Sequence, residues 1–359
     1  MLGDKHDHGE VLGLATGNTT RGHRFHSSGT IELAKPEDYE QALAEARVVA
    51  SYAQRQQMIR DQVEVEASAL KATAVIDPDL LDEVTGLVEW PVALTGSFEE
   101  RFLAVPAEAL VSSMKEHQKY FHLVDAQGEL LPNFITLSNI ESKDPIQVIA
   151  GNERVIRPRL ADAAFFFETD KKTALADRVE KLESVVFQQK LGTVADKTRR
   201  VQQLAGQLAT KIGAPVESAQ RAALLAKTDL VTEMVLEFSD MQGIAGSYYA
   251  LHDGEEAEVA AAIAQQYWPK FAGDRLPESM TACALGLADR LDTLVGIFGI
   301  GQPPTGSKDP FALRRASLAV LRIIVEKELD LDLRDCLEAA AEQFPQGVIA
   351  AGTTEQVLD

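Results

Sequence analysis

From about Leu175 onward the strand signals of this chain stop, and that change constrains the fold more than any other feature. Segments at 176–186, 193–212, 218–238, 255–267, 281–298 and 310–328 have helical length. Gly213-Ala214-Pro215 and Gly301-Gln302-Pro303-Pro304 punctuate them. Within 281–298, Ala284, Leu287, Ala288, Leu291, Val295 and Phe298 recur at the spacing of a helix face turned to a core. An all-α domain is therefore expected over 175–330. The upstream pattern differs: residues 11–24 read as short strands about a Gly17-Asn18 turn, and 36–73, rich in Ala, Glu, Gln and Arg, read as one long helix. Segments 90–95, 102–105, 119–124 and 133–137 read as strands, separated by Gly96-Ser97 and Ala126-Gln127-Gly128. An antiparallel sheet beside a helix is the economical arrangement. The expected class is α+β, with a mixed α/β domain over 1–174, and 359 residues agree with two cores rather than one.

Charge narrows the partners. A net charge of −20 excludes a protein that coats nucleic acid with its whole surface. Between Arg154 and Arg200, however, eleven Lys/Arg stand against seven Asp/Glu, a local excess that favours a phosphate-contacting strip. There is no apolar run of membrane-spanning length, and Met1 to Asp7 lacks the basic-then-apolar pattern of a signal peptide, so a cytoplasmic protein with no membrane partner is expected. Cys283 and Cys336 are two widely separated residues, read as buried thiols rather than a disulfide.

The run Gly306-Ser307-Lys308-Asp309-Pro310-Phe311-Ala312-Leu313-Arg314-Arg315 joins a helix start to a cluster of cations. Asp309 can cap free amides and Pro310 suits the first helical position, so the helix is expected to begin there. Arg315 and Arg322 then share a face, Arg314 flanks them, and Leu318, Leu321 and Val325 supply a packing stripe. Such cations suit phosphate, and they equally suit a solvated basic face.

With Phe187-Gln188-Gln189-Lys190-Leu191-Gly192-Thr193 and Arg157-Pro158-Arg159-Leu160-Ala161-Asp162-Ala163 upstream, this run resembles the β subunit of bacterial heterotetrameric glycyl-tRNA synthetase. The likeness extends in the family's order from Thr20-Arg21-Gly22-His23-Arg24-Phe25, through Glu89-Trp90-Pro91-Val92 and Asn139-Ile140-Glu141-Ser142-Lys143-Asp144, to about Asp332. Members are about twice this length, so the resemblance implies an internal piece lacking the start and the C-terminal anticodon-binding part. It implies a B3/B4-like domain at 1–174, an HD-like domain at 175–330, and the start of a following linker or helical region at 331–359. It also implies a chain without an activation site of its own, which binds tRNA(Gly) and the α subunit of an α2β2 holoenzyme. ATP and Mg are then used through the α subunit, and this chain holds no cofactor. The residues expected to touch the RNA backbone are Arg154, Arg157, Arg159, Lys190, Lys197, Arg199, Arg200, Lys308, Arg314 and Arg315.

Ala288-Asp289-Arg290-Leu291-Asp292 resembles the last metal-ligand signature of HD-domain phosphohydrolases, in which imidazoles and carboxylates hold a water-activating metal. The helix that should carry the His-Asp pair reads Lys227-Thr228-Asp229 instead, and no histidine lies between Leu123 and Leu251. Lys227, Asp229 and Asp289 thus read as degenerate metal positions, and His252-Asp253 reads as coincidental. Asp229, Glu233 and Glu237 at i+4 spacing read as an acidic stripe. His23 and His26 lack further ligands, and His6 and His8 sit in the N-terminal segment, so no metal is assigned. No phosphate-cradling Gly-rich loop and no ATP-clamping synthetase motif is present. Two other classes compete: a working HD-type metal phosphohydrolase, and a protein-interaction scaffold whose basic strip docks an acidic protein surface.

Overall fold

The computed structural model describes residues 9–359, so His6 and His8 lie outside the described residues. It divides into two compact units, one ending at Ala164 and one from Phe165 to Asp359. The division falls inside the helix Pro145–Asp170, which holds Pro158 in its interior.

The first unit is built on a four-stranded antiparallel sheet in the order Thr73–Ala74, Phe121–Val124, Leu130–Ser138, Val92–Ser97. The helix Tyr52–Ala69 buries Ile59, Val63 and Ala67 in a core shared with Leu80, Leu81 and Val84 of the helix Pro78–Leu87 and with Phe121, Leu123 and Ile135 of the sheet. Gln62 ties that helix to the edge strand, because its Oε1 accepts from the Ala93 N–H at 2.9 Å and its Nε2 donates to the Pro91 carbonyl at 3.0 Å.

Three expectations for this unit need correction. Segment 36–73 is not one helix: the helix Tyr39–Glu45 ends, Arg47 takes φ 61°, and Ser51 caps a new helix through the Gln54 N–H. The competing influences are the Ser51 cap and the β-branched pair Val48-Val49, whose amides go to Leu43 and Glu89 carbonyls. Segment 102–105 is a 3₁₀ turn, Glu100–Ala104, and not a strand; Phe102 alone turns inward, at 3% exposure. The hairpin near the N-terminus turns at Leu12-Gly13, both with positive φ, and joins Glu10–Val11 to Leu14–Ala15. Gly17-Asn18 only leads into Thr19–Thr20, which pairs with Ile31–Glu32.

In the second unit the helix Met280–Gly299 is central. Around it lie the helices Val194–Ile212, Val216–Leu225, Ala257–Gln265, Leu313–Glu326 and Leu333–Ala341. Small residues permit the close approach: a Cβ on Gly299 would meet Ile349 at 2.5 Å, and one on Gly296 would meet Leu191 at 2.9 Å. Val194–Ile212 starts at a capping box formed by Thr193 and Asp196 and stops at Gly213, with φ 74°. Cys283 and Cys336 are buried free thiols. No helix among the described residues is long and apolar enough to cross a membrane.

This unit also departs from its pattern. Segment 176–186 is a 3₁₀ helix, Leu175–Ser184, followed by a short hairpin of Val186–Gln188 with Gly192–Thr193, so the unit is not purely α. Segment 218–238 breaks into Val216–Leu225, a 3₁₀ turn Thr228–Val231, and Glu233–Glu237, because extended Thr232 caps the last piece through the Val235 N–H. Asp229 therefore leaves the expected acidic stripe and is fully buried, while Glu233 and Glu237 are exposed. The segment expected to start at Pro310 becomes helical at Leu313. Asp309 still caps it, accepting from the Leu313 and Arg314 amides at 2.8 and 3.0 Å, across an Ala312 with φ 54°. The stripe that packs is Leu313, Ala319, Val320 and Ile323; Leu318, Leu321 and Val325 are 60%, 46% and 69% exposed.

Candidate functional site

Two facing helices of the second unit carry matched charges. Lys197 and Arg200, three residues apart on Val194–Ile212, meet Asp289 and Asp292, three apart on Met280–Gly299. Asp292, 1% exposed, accepts from Arg200 Nε at 2.6 Å, Arg200 Nη2 at 3.2 Å and Lys197 Nζ at 3.1 Å. Lys197 Nζ also donates to the Asp289 carbonyl at 2.9 Å and Thr293 Oγ1 at 2.8 Å, and lies 3.2 Å from Asp289 Oδ1. The Arg200 guanidinium covers the Phe344 ring at 4.4 Å. Of the residues expected from sequence to contact RNA, these two are buried and ion-paired. At 5% and 7% exposure they are spent on internal carboxylates.

Lys227 and Asp289, two of the three positions read from sequence as degenerate metal ligands, come together beside this ladder. Lys227 Nζ lies 3.4 Å from Asp289 Oδ2, donates to the Tyr267 hydroxyl at 3.1 Å and sits over the Tyr267 ring. Asp229 turns to backbone, accepting from Gly243 N at 2.5 Å and Gly246 N at 3.2 Å. Burial pushes the Asp229 carboxyl up to about 6, against those amides and the Lys227 charge. Burial would also raise Asp289, but Lys197, Lys227 and Arg290 outweigh it and hold the carboxyl well below the usual carboxylate range. Two ammonium groups therefore occupy the coordination space around Asp289, and a divalent cation would meet repulsion there. Among the described residues no group of three or more His, Cys, Asp or Glu could hold a metal. His23 and His26 serve the backbone instead: His23 Nε2 pairs with the Asn139 carbonyl at 2.7 Å, and His26 Nε2 accepts from Glu141 N at 3.0 Å. In the His252-Asp253 pair, Asp253 accepts from the Leu175 N–H at 2.7 Å, a structural duty.

Next to Asp289 opens a cleft of about 630 Å³ lined by Tyr267, Lys270, Arg290, Phe311 and Arg315, among others. Arg315 stands exposed at this cleft, with Arg314 and Lys308 exposed nearby in sequence. A second hollow, of about 380 Å³, gathers Lys190, Arg199, Arg200 and Phe344. Lys190 is exposed, and Arg199 is 59% exposed with surface ion pairs to Glu183 at 2.7 Å and Asp196 at 3.0 Å. In the first unit, Arg154, Arg157 and Arg159 are exposed on the helix Pro145–Asp170, and Arg157 pairs with Glu99 at 2.8 Å.

Sequence reasoning missed the role of Asp292, although the i, i+3 match between Lys197/Arg200 and Asp289/Asp292 was present. It also missed Asp170, a buried carboxylate that accepts from the Glu233 and Met234 amides at 3.1 and 2.9 Å, the Tyr249 hydroxyl at 3.1 Å, and Arg178 Nη2 at 3.3 Å. No local signal marks it, since its partners lie more than sixty positions away or on a short 3₁₀ segment.

A family model described as glycyl-tRNA synthetase beta subunit matches residues 1–359. Proteins named glycine–tRNA ligase beta subunit are similar throughout. The one from Chromohalobacter salexigens is 63% identical over 349 residues, covering 97% of this chain and 51% of the relative. Those from Hahella chejuensis and Marinobacter nauticus are 60% and 59% identical, covering 100% and 96% of this chain and 52% and 50% of their own lengths. The chain spans about half the length of these relatives. With the whole chain matched and identities near 60% across both units, it belongs to the glycyl-tRNA synthetase beta subunit family.

Proposed function

We propose that this chain is a non-catalytic part of a glycine–tRNA ligase, working in the cytoplasm, that binds tRNA(Gly) and the α subunit of an α2β2 holoenzyme. The α subunit joins glycine to tRNA with ATP and Mg. Within that reading, residues 1–174 act as a B3/B4-like domain and 175–330 as an HD-like domain whose metal site has been replaced by lysines, with 331–359 leading toward the remainder of the subunit. The observation that carries the reading is the family match over residues 1–359, combined with exposed Lys308, Arg314 and Arg315 in a chain of net charge −20. Exposed guanidinium groups at one helix start bind an RNA backbone by phosphate contacts, which set position rather than base identity. The remaining candidates are Arg154, Arg157, Arg159, Lys190 and Arg199, all exposed.

The test is reconstitution. The chain, and a version extended to the relatives' length, are each mixed with the α subunit, and glycine transfer to tRNA is measured. Transfer by the extended version, with tRNA binding retained by the chain alone, supports the proposal. Absence of both tRNA and α-subunit binding sinks it.

A scaffold reading keeps one observation of its own: Leu318, Leu321 and Val325 expose an apolar stripe on the same helix as Arg314 and Arg315. Binding to the α subunit alone, with no affinity for tRNA, would favour it. The phosphohydrolase reading is disfavoured by the Lys197 and Lys227 contacts to Asp289.

A further inference from the structure

Apart from Arg315, which the tRNA reading shares, the cleft beside Asp289 carries groups that backbone binding to tRNA does not use. Its volume of about 630 Å³ is that of a small-ligand site. Lys270, Arg290 and Arg315 line it together with Asp240 and Asp289, and Asp289 is already matched by Lys197 and Lys227. Arg290, 9% exposed, is held by carbonyls rather than a carboxylate: Nη1 donates to Gln266 and Gly286, and Nη2 to Trp268 and Pro269. The local balance is positive in a chain of net −20, so the cleft selects an anion.

Two further features narrow the anion. Gln266 lines the cleft at 1% exposure, and its Nε2 donates to the Ala226 and Ile263 carbonyls at 2.9 and 2.8 Å. Its Oε1 is buried without a hydrogen-bond partner, an acceptor that an N–H or O–H donor would satisfy. Tyr267 and Phe311 supply aromatic walls against which a flat ring can rest. An anionic group, a flat ring and a ring-borne N–H donor are found together in a nucleotide.

We propose that this cleft binds a nucleoside 5′-monophosphate, with the phosphate on Arg315 and Lys270, the base against Phe311, and a base N–H directed to Gln266. The ligand is bound without hydrolysis, because Lys197 and Lys227 already hold the Asp289 carboxylate.

Calorimetric titration of the chain tests this with AMP, adenosine and inorganic phosphate as separate probes, and with a short oligoribonucleotide as a further arm. The expected result is saturable one-site AMP binding, with adenosine and phosphate each at least about tenfold weaker. An Arg315→Ala/Lys270→Ala variant should lose at least about tenfold in AMP affinity, the scale of one charge-assisted hydrogen bond, with its urea midpoint unchanged because both side chains are exposed. Four outcomes overturn the proposal: no saturation with AMP, an affinity unaltered in the double variant, phosphate binding as tight as AMP, or binding of the oligoribonucleotide alone. None of these touches the tRNA reading, which rests on the family match and on Arg314 and Lys308 as well.

Discussion

Replacing Asp292 by Asn removes one negative charge from the centre of the second unit while nearly preserving its shape. In the native protein that carboxylate is 1% exposed and takes hydrogen bonds from Arg200 at 2.6 and 3.2 Å and from Lys197 at 3.1 Å. After substitution Lys197 retains Asp289, but Arg200, 7% exposed, is left with the Leu191 carbonyl and the Phe344 ring. Breaking a buried pair from one side strands the other charge, which costs about 3–5 kcal/mol. For a unit of this size that corresponds to a melting-temperature drop of roughly 6–20 °C. Urea denaturation followed by far-UV circular dichroism reads the loss in the helical unit. Arg199→Gln is the internal control, because its ion pairs are on the surface and should contribute less than about 1 kcal/mol. A loss below about 1 kcal/mol for Asp292→Asn, or one equal to that of Arg199→Gln, would refute the claim that Lys197 and Arg200 are structural.

Two further substitutions test separate parts of the structure. The Asp229 carboxyl, raised from 3.8 to about 6, keeps its proton in the folded state after the unfolded chain has lost it, so its contribution to stability falls as pH rises through that window. Asp229→Asn should flatten the dependence of the urea midpoint on pH between those values, and parallel profiles for the two proteins would contradict the assignment. Gly96→Ala places a methyl 2.4 Å from the Phe134 ring, which is itself stacked on Tyr120 at 4.5 Å and cannot easily yield. Overpacking of this kind costs about 1–3 kcal/mol, and an unchanged melting temperature in the first unit would show that the ring moves.

What could be read from the sequence follows the range of the forces involved. The Thr281 pattern became the helix Met280–Gly299 because a continuous apolar stripe and a Ser279 cap act locally and agree. The strand segments around Phe121 and Phe134 were found for the same reason, since alternation and turn residues are local signals. Segment 36–73 misled because helix propensity persists through residues whose backbone is held by Ser51 and the Glu89 carbonyl. At 310–328 the cap was right and the packing face wrong. Three large apolar residues suggested the buried side, while the smaller Ala319 and Val320 face the core with Leu313 and Ile323. The candidate site shows the same division: Lys227 beside Asp289 was legible from the replaced dipeptide, whereas the fate of Lys197 and Arg200 depended on a helix more than ninety positions away.

The central claim is that exposed arginines of the 313–326 helix meet an RNA backbone while Lys197 and Arg200 hold the interior together. The most direct measurement is the salt dependence of tRNA affinity for the native chain and for Arg314→Ala/Arg315→Ala. If those side chains face phosphate, affinity falls and the log–log slope becomes shallower by up to roughly two units, with helicity and melting temperature unchanged. A slope identical to that of the native chain, or a marked loss of stability in the variant, would contradict it.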